Sequence, residues 1–183
     1  MPLEPSALPL PSAPPAGPTP PEQPASQRRL LASRADFAAA LDEVIGMAAR
    51  NLRIFDPTGR DFGFNSLQRE EQLRKFLLSS RNSRLLISVH DTTHLTIDSP
   101  RLMRLLRQFS HAISIYRTNE AIRKIEDVLV IADDLHCIRK PHAERPNGVV
   151  HLHDRAETHG WLNRFNEIWE QSTPSVSATT IGL

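Results

Sequence analysis

The sequence predicts an α/β domain in which a mixed, mostly parallel sheet is flanked by helices on both faces. Short and almost continuous apolar runs at residues 85–89 and 128–132 are typical of strands that are buried on both sides. Segments with apolar residues at helical spacing separate the strand-like runs along the chain. Because helices that alternate with buried strands act as crossover connections, much of the sheet is expected to be parallel.

Composition divides the chain into three parts. Ten of the 15 prolines fall within the first 24 residues, and such a segment buries too little apolar surface to offset the entropy of ordering it. We therefore expect residues 1–27 to be a disordered, Pro-rich N-terminal tail. Residues 28–172 are expected to form one folded domain, which is long enough to bury a single core, and residues 173–183 a C-terminal tail.

The first half of the domain alternates helices and strands. Ser33 can cap the first helix, whose apolar residues lie on one face. Residues 56–59 read Asp-Pro-Thr-Gly, which is a turn signal. Ser99 and Pro100 place a cap and a first-turn proline before the third helix. The predicted helices span residues 33–48, 65–77 and 100–109, and the predicted strands span residues 52–55, 85–89 and 112–116.

The second half begins with the strongest strand signal of the chain, at residues 128–132. Two aspartates turn this strand, and residues 136–140 are expected to pair back on it as a hairpin. A short strand at residues 149–152 and a helix from residue 155 to residue 171 complete the domain. The hairpin would add antiparallel pairing to the sheet, which is why a mixed sheet is predicted.

Composition also limits the classes of function. A formal net charge of +1 creates no global field that favours nucleic acid or membranes. No apolar run approaches the roughly 20 residues needed to cross a bilayer, and the N-terminus lacks the pattern of a signal peptide. We therefore expect a cytoplasmic protein without membrane insertion. A single cysteine, Cys137, excludes an intramolecular disulfide and is expected to be a buried, inert thiol.

Residues 126–133 read Glu-Asp-Val-Leu-Val-Ile-Ala-Asp, and here the chain resembles the phospholipase D superfamily. In active members the corresponding strand carries a histidine, a lysine two positions later and an aspartate five positions beyond the lysine. Alignment of Asp133 on that aspartate puts Glu126 at the histidine position and Val128 at the lysine position. The resemblance covers about residues 28–172 and implies one phospholipase D-like half-domain.

The chain is similar, more specifically, to a family of uncharacterised bacterial proteins with phospholipase D-like folds. Three segments carry this similarity: the helix PRLMRLLRQFS, the strand AISIYR that follows it, and the ending FNEIWEQS. Active members also place Gly-Ser where this chain has Arg139, Lys140 and Pro141. This departure points away from phosphate contact at the end of the hairpin.

The resemblance implies that the catalytic chemistry is absent. The family histidine attacks phosphorus and the family lysine holds the phosphate; a carboxylate at Glu126 repels that substrate, and Val128 offers neither a charge nor a donor. No His-x-Lys sequence occurs anywhere in the chain. We therefore expect a non-catalytic interaction or regulatory module without a cofactor, which binds a protein partner or forms a homodimer, because active single-half relatives pair across the face that carries their motif.

Two alternatives rest on charged and metal-ligating residues. A basic patch could bind phosphates of nucleic acid or another anion, although such runs are more often a solvated surface. A metal-assisted enzyme could use His151, His153 and Asp154, and His90 and His94 are further candidate ligands, although histidines without a metal are the expected case. The patch consists of Arg101, Arg104, Arg107, Arg117, Arg123 and Lys124.

Overall fold

The computed structural model describes residues 24–178, so residues 1–23 of the predicted N-terminal tail (1–27) and residues 179–183 of the predicted C-terminal tail (173–183) lie outside the described residues. Eight strands and five α-helices follow one another within that range. In chain order they are β1 (Gln27–Leu31), α1 (Arg34–Met47), β2 (Asn51–Phe55), α2 (Leu67–Ser79), β3 (Arg84–Val89), α3 (Thr93–Ile97), α4 (Pro100–Gln108), β4 (Ile113–Thr118), β5 (Val128–Ala132), β6 (His136–Lys140), β7 (Gly148–Leu152), α5 (Arg155–Glu170) and β8 (Ser172–Val176).

All eight strands belong to one sheet, in the order β1-β7-β6-β5-β2-β3-β4-β8. The predicted α/β class, with a mixed sheet and helices on both faces, is confirmed. Parallel pairing is less extensive than expected, because only β2–β3 and β3–β4 are parallel. The chain from β5 to β7 forms an antiparallel meander, and both edge strands also pair antiparallel.

The two edge strands are elements that the sequence pattern did not predict. Four of the five residues of β1 are exposed, so this strand carries no apolar alternation. Strand β8 contains Pro174, which an edge strand tolerates because one side of its backbone makes no ladder hydrogen bonds. The predicted C-terminal tail therefore begins too early, since residues 172–176 pair with β4.

Each face of the sheet has its own core. Helices α1, α2 and α4 cover one face with the larger core, which includes Leu41, Leu73 and Leu102. Helix α5 and the segment before β5, with Ile122, cover the other face, where Phe165 packs among residues that include Cys137. Burial raises the pKa of the Cys137 thiol to about 11, in agreement with the expected inert cysteine. Among residues 24–178, no helix has the length and apolar character required to cross a bilayer.

Side-chain caps fix where most of the helices begin. Ser33 and Asp36 form a reciprocal capping box at α1. The side chain of Ser66 accepts the backbone N–H of Arg69 in the first turn of α2, and Asp154 accepts that of Glu157 in α5. Ser99 was expected to cap α4, but its hydroxyl donates instead to the carbonyl of His94, at 3.3 Å.

Candidate functional site

A cleft lies where strands β2 and β3 end and β5 begins. We call this side of the sheet the carboxyl edge, because the three parallel strands β2, β3 and β4 all end there. The cleft has a volume of about 380 Å³ and is lined by Pro57, Thr58, Glu126 and residues 142–145. Ligands of open α/β sheets bind outside the carboxyl ends of their strands. This cleft is therefore the candidate ligand-binding site.

Glu126 occupies the rim of the cleft. Its side chain is 65% exposed, and its carboxylate contacts Nδ1 of His142, which lines the same cleft. The residue that the sequence alignment places at the family's histidine position is therefore an acidic group paired with a histidine from the loop after β6. His142 was not among the residues singled out from the sequence, because only the fold brings this loop back to the start of β5.

Val128 lies in the core and not in the cleft. Its side chain is fully buried within the larger core, and the residue pairs with Lys140 across the β5–β6 ladder. A charged side chain at this position would be buried, at a cost of several kcal/mol unless it were paired, as the neighbouring Lys140 is with Asp61. The residue that the sequence alignment places at the family's lysine position is thus a core residue.

Asp133 lies at the opposite end of β5 from Glu126. Its two carboxylate oxygens accept the backbone N–H groups of Ala49, Arg50 and Asn51, each at 2.9 Å. The residue also adopts a left-handed conformation, with φ of 55°. Asp133 therefore stabilises the backbone between α1 and β2. Glu126, Val128 and Asp133 do not lie together in one site.

Lys140 is a buried charged residue that the sequence pattern did not identify as functional. Its side chain is 1% exposed, and Nζ donates to Oδ2 of Asp61 and to the carbonyl of Ala143, both at 2.9 Å. The ammonium also lies 4.6 Å from the centroid of the Phe37 ring. Because Asp61 and Ala143 belong to the two loops that flank the cleft, Lys140 ties these loops to each other.

The turn that follows β2, and that supplies Pro57 and Thr58 to the cleft, is held by a buried aspartate. Oδ1 of Asp56 accepts the N–H groups of Thr58 and Gly59, at 2.5 and 2.6 Å, and the Thr58 hydroxyl at 2.9 Å. Gly59 has φ of 68°, a conformation that other residues adopt only with strain. These contacts confirm the turn predicted at residues 56–59 and fix Pro57 and Thr58 at the rim.

His90 is a neutral structural histidine. Its Nε2 lies 2.8 Å from the carbonyl of Ile125, which can only accept, so Nε2 carries the proton and Nδ1 accepts from the Thr118 hydroxyl at 2.6 Å. Burial lowers the pKa of His90, which favours the neutral form. His94 instead contacts Asp98 at 2.9 Å. The two histidines of the predicted His-rich segment therefore have separate partners.

The predicted metal ligands His151, His153 and Asp154 do not form a metal site. His151 points to the α5 face, with Nδ1 3.7 Å from Asp154. His153 lies beyond β7 with φ of 53°, and its ring packs against His136 at 4.7 Å between centroids. His151 and His153 would share a strand face only if the strand continued, and it ends at Leu152. Within residues 24–178, no group of three or more acidic, histidine or cysteine side chains could hold a metal ion.

The predicted basic patch separates into two groups. Arg117, Arg123 and Lys124 belong to the end of β4 and the turn after it, where Arg123 pairs with Glu120 at 3.1 Å. Asp91 lies near this group: Thr93 lowers the pKa of Asp91 by hydrogen bonding, and the charges of Arg123 and Arg117 add to that effect.

The second group consists of Arg101, Arg104 and Arg107 on α4. Arg101 and Arg104 turn toward helix α2, where both contact the buried carboxylate of Glu70, at 2.7 and 3.4 Å. Arg107 is exposed in the last turn of α4. Glu70 was not singled out from the sequence, because contacts between two helices depend on how the helices pack.

Similar folds occur in several solved structures. That of TrmBL2, an archaeal chromatin protein with a novel mode of DNA binding, has a TM-score of 0.61 and 11% identity, over 86% of this chain and 55% of that one. Nuc from Salmonella typhimurium, a phospholipase D family member, has a TM-score of 0.57 and 12% identity, over 84% of this chain and 100% of that one. NucT from Helicobacter pylori has a TM-score of 0.55 and 13% identity, over 82% and 100%.

These likenesses show a shared phospholipase D-like fold. The chain spans about half the length of the archaeal protein, at 55%, and all of the length of the two Nuc-type proteins. No curated protein matches the sequence. A family model described as a domain of unknown function (DUF7931) matches residues 33–179, which is most of the chain. The chain therefore belongs to the DUF7931 family, and it has the phospholipase D-like fold.

Proposed function

We propose that this protein is a non-catalytic domain of the phospholipase D-like fold that works by binding a partner. The burial of Val128 supports this proposal most directly, since the residue at the expected lysine position has no access to the cleft. Glu126, at the expected histidine position, supports it further, because its carboxylate repels a phosphodiester. Association with a protein partner or with a second copy of the chain is part of the same proposal.

We expect the purified protein to hydrolyse neither bis(p-nitrophenyl) phosphate nor plasmid DNA faster than buffer does. His142, which lies beside Glu126 in the cleft, is the group that most resembles the missing nucleophile. The assay therefore includes His142→Asn and Glu126→Gln, with Glu144→Gln in the same cleft as the matched control. Hydrolysis that is lost in the first two variants and kept in the third would overturn the proposal. Asp133 is unsuited to this test, because its contacts hold the backbone.

A second candidate function is nucleic-acid binding through the arginines of α4. The observation that favours it is the group of exposed guanidinium groups that turn from α4 toward α2. A protein with a similar fold, TrmBL2, is described as a DNA-binding chromatin protein. Guanidinium groups that neutralise phosphates release counterions, so binding of this kind depends strongly on salt.

We expect a labelled DNA duplex to bind at low salt and to dissociate as salt increases. Replacement of Arg101, Arg104 and Arg107 together by glutamine should lower the slope of log affinity against log salt by about one unit for each phosphate that is no longer neutralised. Glutamine is used because a new carboxylate beside buried Glu70 would destabilise the fold. The matched control replaces Arg28, Arg155 and Arg164, outside α2 and α4, of which the first two are exposed and the third is partly exposed. An equal decrease in both triple variants, or no binding by the wild type, would reject this function.

A further inference from the structure

Four residues on α2 and α4 form what we call the Glu70 cluster: Glu70, Arg74, Arg101 and Arg104. Oε2 of Glu70 accepts from Arg101 at 2.7 Å, and Oε1 accepts from Arg74 at 3.3 Å and from Arg104 at 3.4 Å. The side chain of Glu70 is 5% exposed, whereas those of Arg74, Arg101 and Arg104 are 33%, 34% and 59% exposed. The carboxylate therefore lies beneath a layer of guanidinium groups that reaches the surface.

The cluster contains more positive than negative charge. Three arginines share one carboxylate, so the surface above Glu70 remains positive. Each guanidinium carries a fork of several N–H donors, and the contacts with Glu70 and with Gln108 use only some of them. The remaining donors can bind a phosphate, whose oxygens match the planar guanidinium fork better than they match an ammonium group.

Glu70 also restricts how far the arginines move. A free arginine loses rotamer entropy when it binds, and a side chain that is already held in place loses less. Arg74 is held on two sides, by Glu70 from its own helix and by Gln108 from α4. The hydrogen bond from Arg101 lowers the pKa of the Glu70 carboxyl, so this anchor stays charged at neutral pH.

The arrangement suits a chain of phosphates better than a single phosphate. Arg101, Arg104 and Arg107 follow one another at intervals of three along α4, so each step rises by about 4.5 Å. Arg74 adds a further cation beside this row, from α2. A row of cations, two of which Glu70 holds in place, can contact several phosphates of a nucleic-acid backbone at the same time on this convex helical surface.

We propose that the Glu70 cluster is a preorganised binding site for the phosphate backbone of nucleic acid, in which Glu70 is a positioning residue for the three arginines. The inference rests on the proposed nucleic-acid function and gives it a definite surface. That surface differs from the patch predicted from the sequence, because it includes Glu70 and Arg74 from α2 and leaves out the group around Arg123. Phosphate contacts of this kind carry no base specificity.

The decisive test compares Glu70→Gln with Glu71→Gln, using a labelled DNA duplex of mixed sequence. Both variants remove one negative charge from α2, and Glu71 is exposed outside the cluster. Net charge alone predicts that both variants bind more tightly. The proposal predicts that Glu70→Gln binds more weakly, by a factor of roughly 2 to 10 for each arginine that is released. Glu71→Gln should bind as tightly as the wild type or slightly more tightly.

A second variant avoids any change in the buried anchor. Arg101→Lys/Arg104→Lys keeps the net charge and removes the guanidinium forks, and it should also bind more weakly than the wild type. Circular dichroism and thermal melting of each variant check that the fold is kept. If Glu70→Gln fails to fold, the lysine variant still decides the question, because binding equal to that of the wild type would overturn the proposal.

The remaining outcomes separate this inference from the function on which it rests. Tighter DNA binding by both Glu70→Gln and Glu71→Gln would overturn the positioning role of Glu70 and leave the nucleic-acid function intact. The absence of any wild-type binding to DNA or to RNA at low salt would reject both. Binding to vesicles that contain phosphatidylserine, without binding to either nucleic acid, would overturn the proposal in favour of a lipid surface.

Discussion

Replacement of Lys140 by methionine is expected to destabilise the fold by about 3 kcal/mol, a cost typical of breaking a buried ion pair. Methionine fills much of the volume of the lysine stem but offers no donor to Asp61 or to the carbonyl of Ala143. The side chain of Asp61 is 25% exposed, so water can partly replace the missing ammonium and keep the cost at the lower end of the range. The variant also removes the link between the two loops that flank the cleft.

Urea denaturation of the wild type and of Lys140→Met measures this difference in the free energy of unfolding. Lys124→Met is the matched control, because Lys124 is exposed and its replacement should change stability by less than about 0.5 kcal/mol. The double variant Asp61→Asn/Lys140→Met should lose less unfolding free energy than the two single variants lose together, because both residues belong to one interaction. If Lys140→Met is as stable as the wild type, the buried pair does not hold the loops together.

Lys140 also illustrates which part of the site the sequence could not reveal. Strand β6 was predicted from its neighbours, but the ammonium and its partner Asp61 are 79 positions apart in the chain. The same limit applies to Glu70, which lies 31 positions from Arg101. Local patterns identify elements because their periodicity is local, whereas pairs between elements depend on packing that the periodicity does not contain.

The buried strands were predictable for the opposite reason. Val128–Ala132 is buried along its whole length, so every residue contributes to one apolar run. Strands β1 and β8 lie at the two edges of the sheet, where four of the five residues of β1 and two of the five residues of β8 are exposed and the apolar pattern disappears. The antiparallel edges also explain why the sheet contains less parallel pairing than the alternation of helices and strands suggested.

The alignment of this chain with the phospholipase D motif starts from Asp133. The contacts of Asp133 give it a structural role that can be tested separately from catalysis. Its carboxylate accepts three backbone N–H groups, and hydrogen bonds to charged groups contribute about 1.5–3 kcal/mol each when they are shielded from water. Two of these N–H groups are exposed, which reduces their share. We expect Asp133→Ala to lower the free energy of unfolding by about 3 kcal/mol, including about 1 kcal/mol for alanine in the left-handed conformation.

Three substitutions at this position separate hydrogen bonding from backbone strain. Glycine relieves the strain but accepts no hydrogen bond, so its cost should be about 2 kcal/mol. Asparagine tolerates the left-handed conformation and keeps one acceptor oxygen, so its cost should be about 1 kcal/mol. Asp134→Ala is the matched control, because the ion pair of Asp134 with Arg155 is exposed, and such pairs contribute little. A different order, with glycine as stable as the wild type, would mean that strain and not the carboxylate dominates at Asp133.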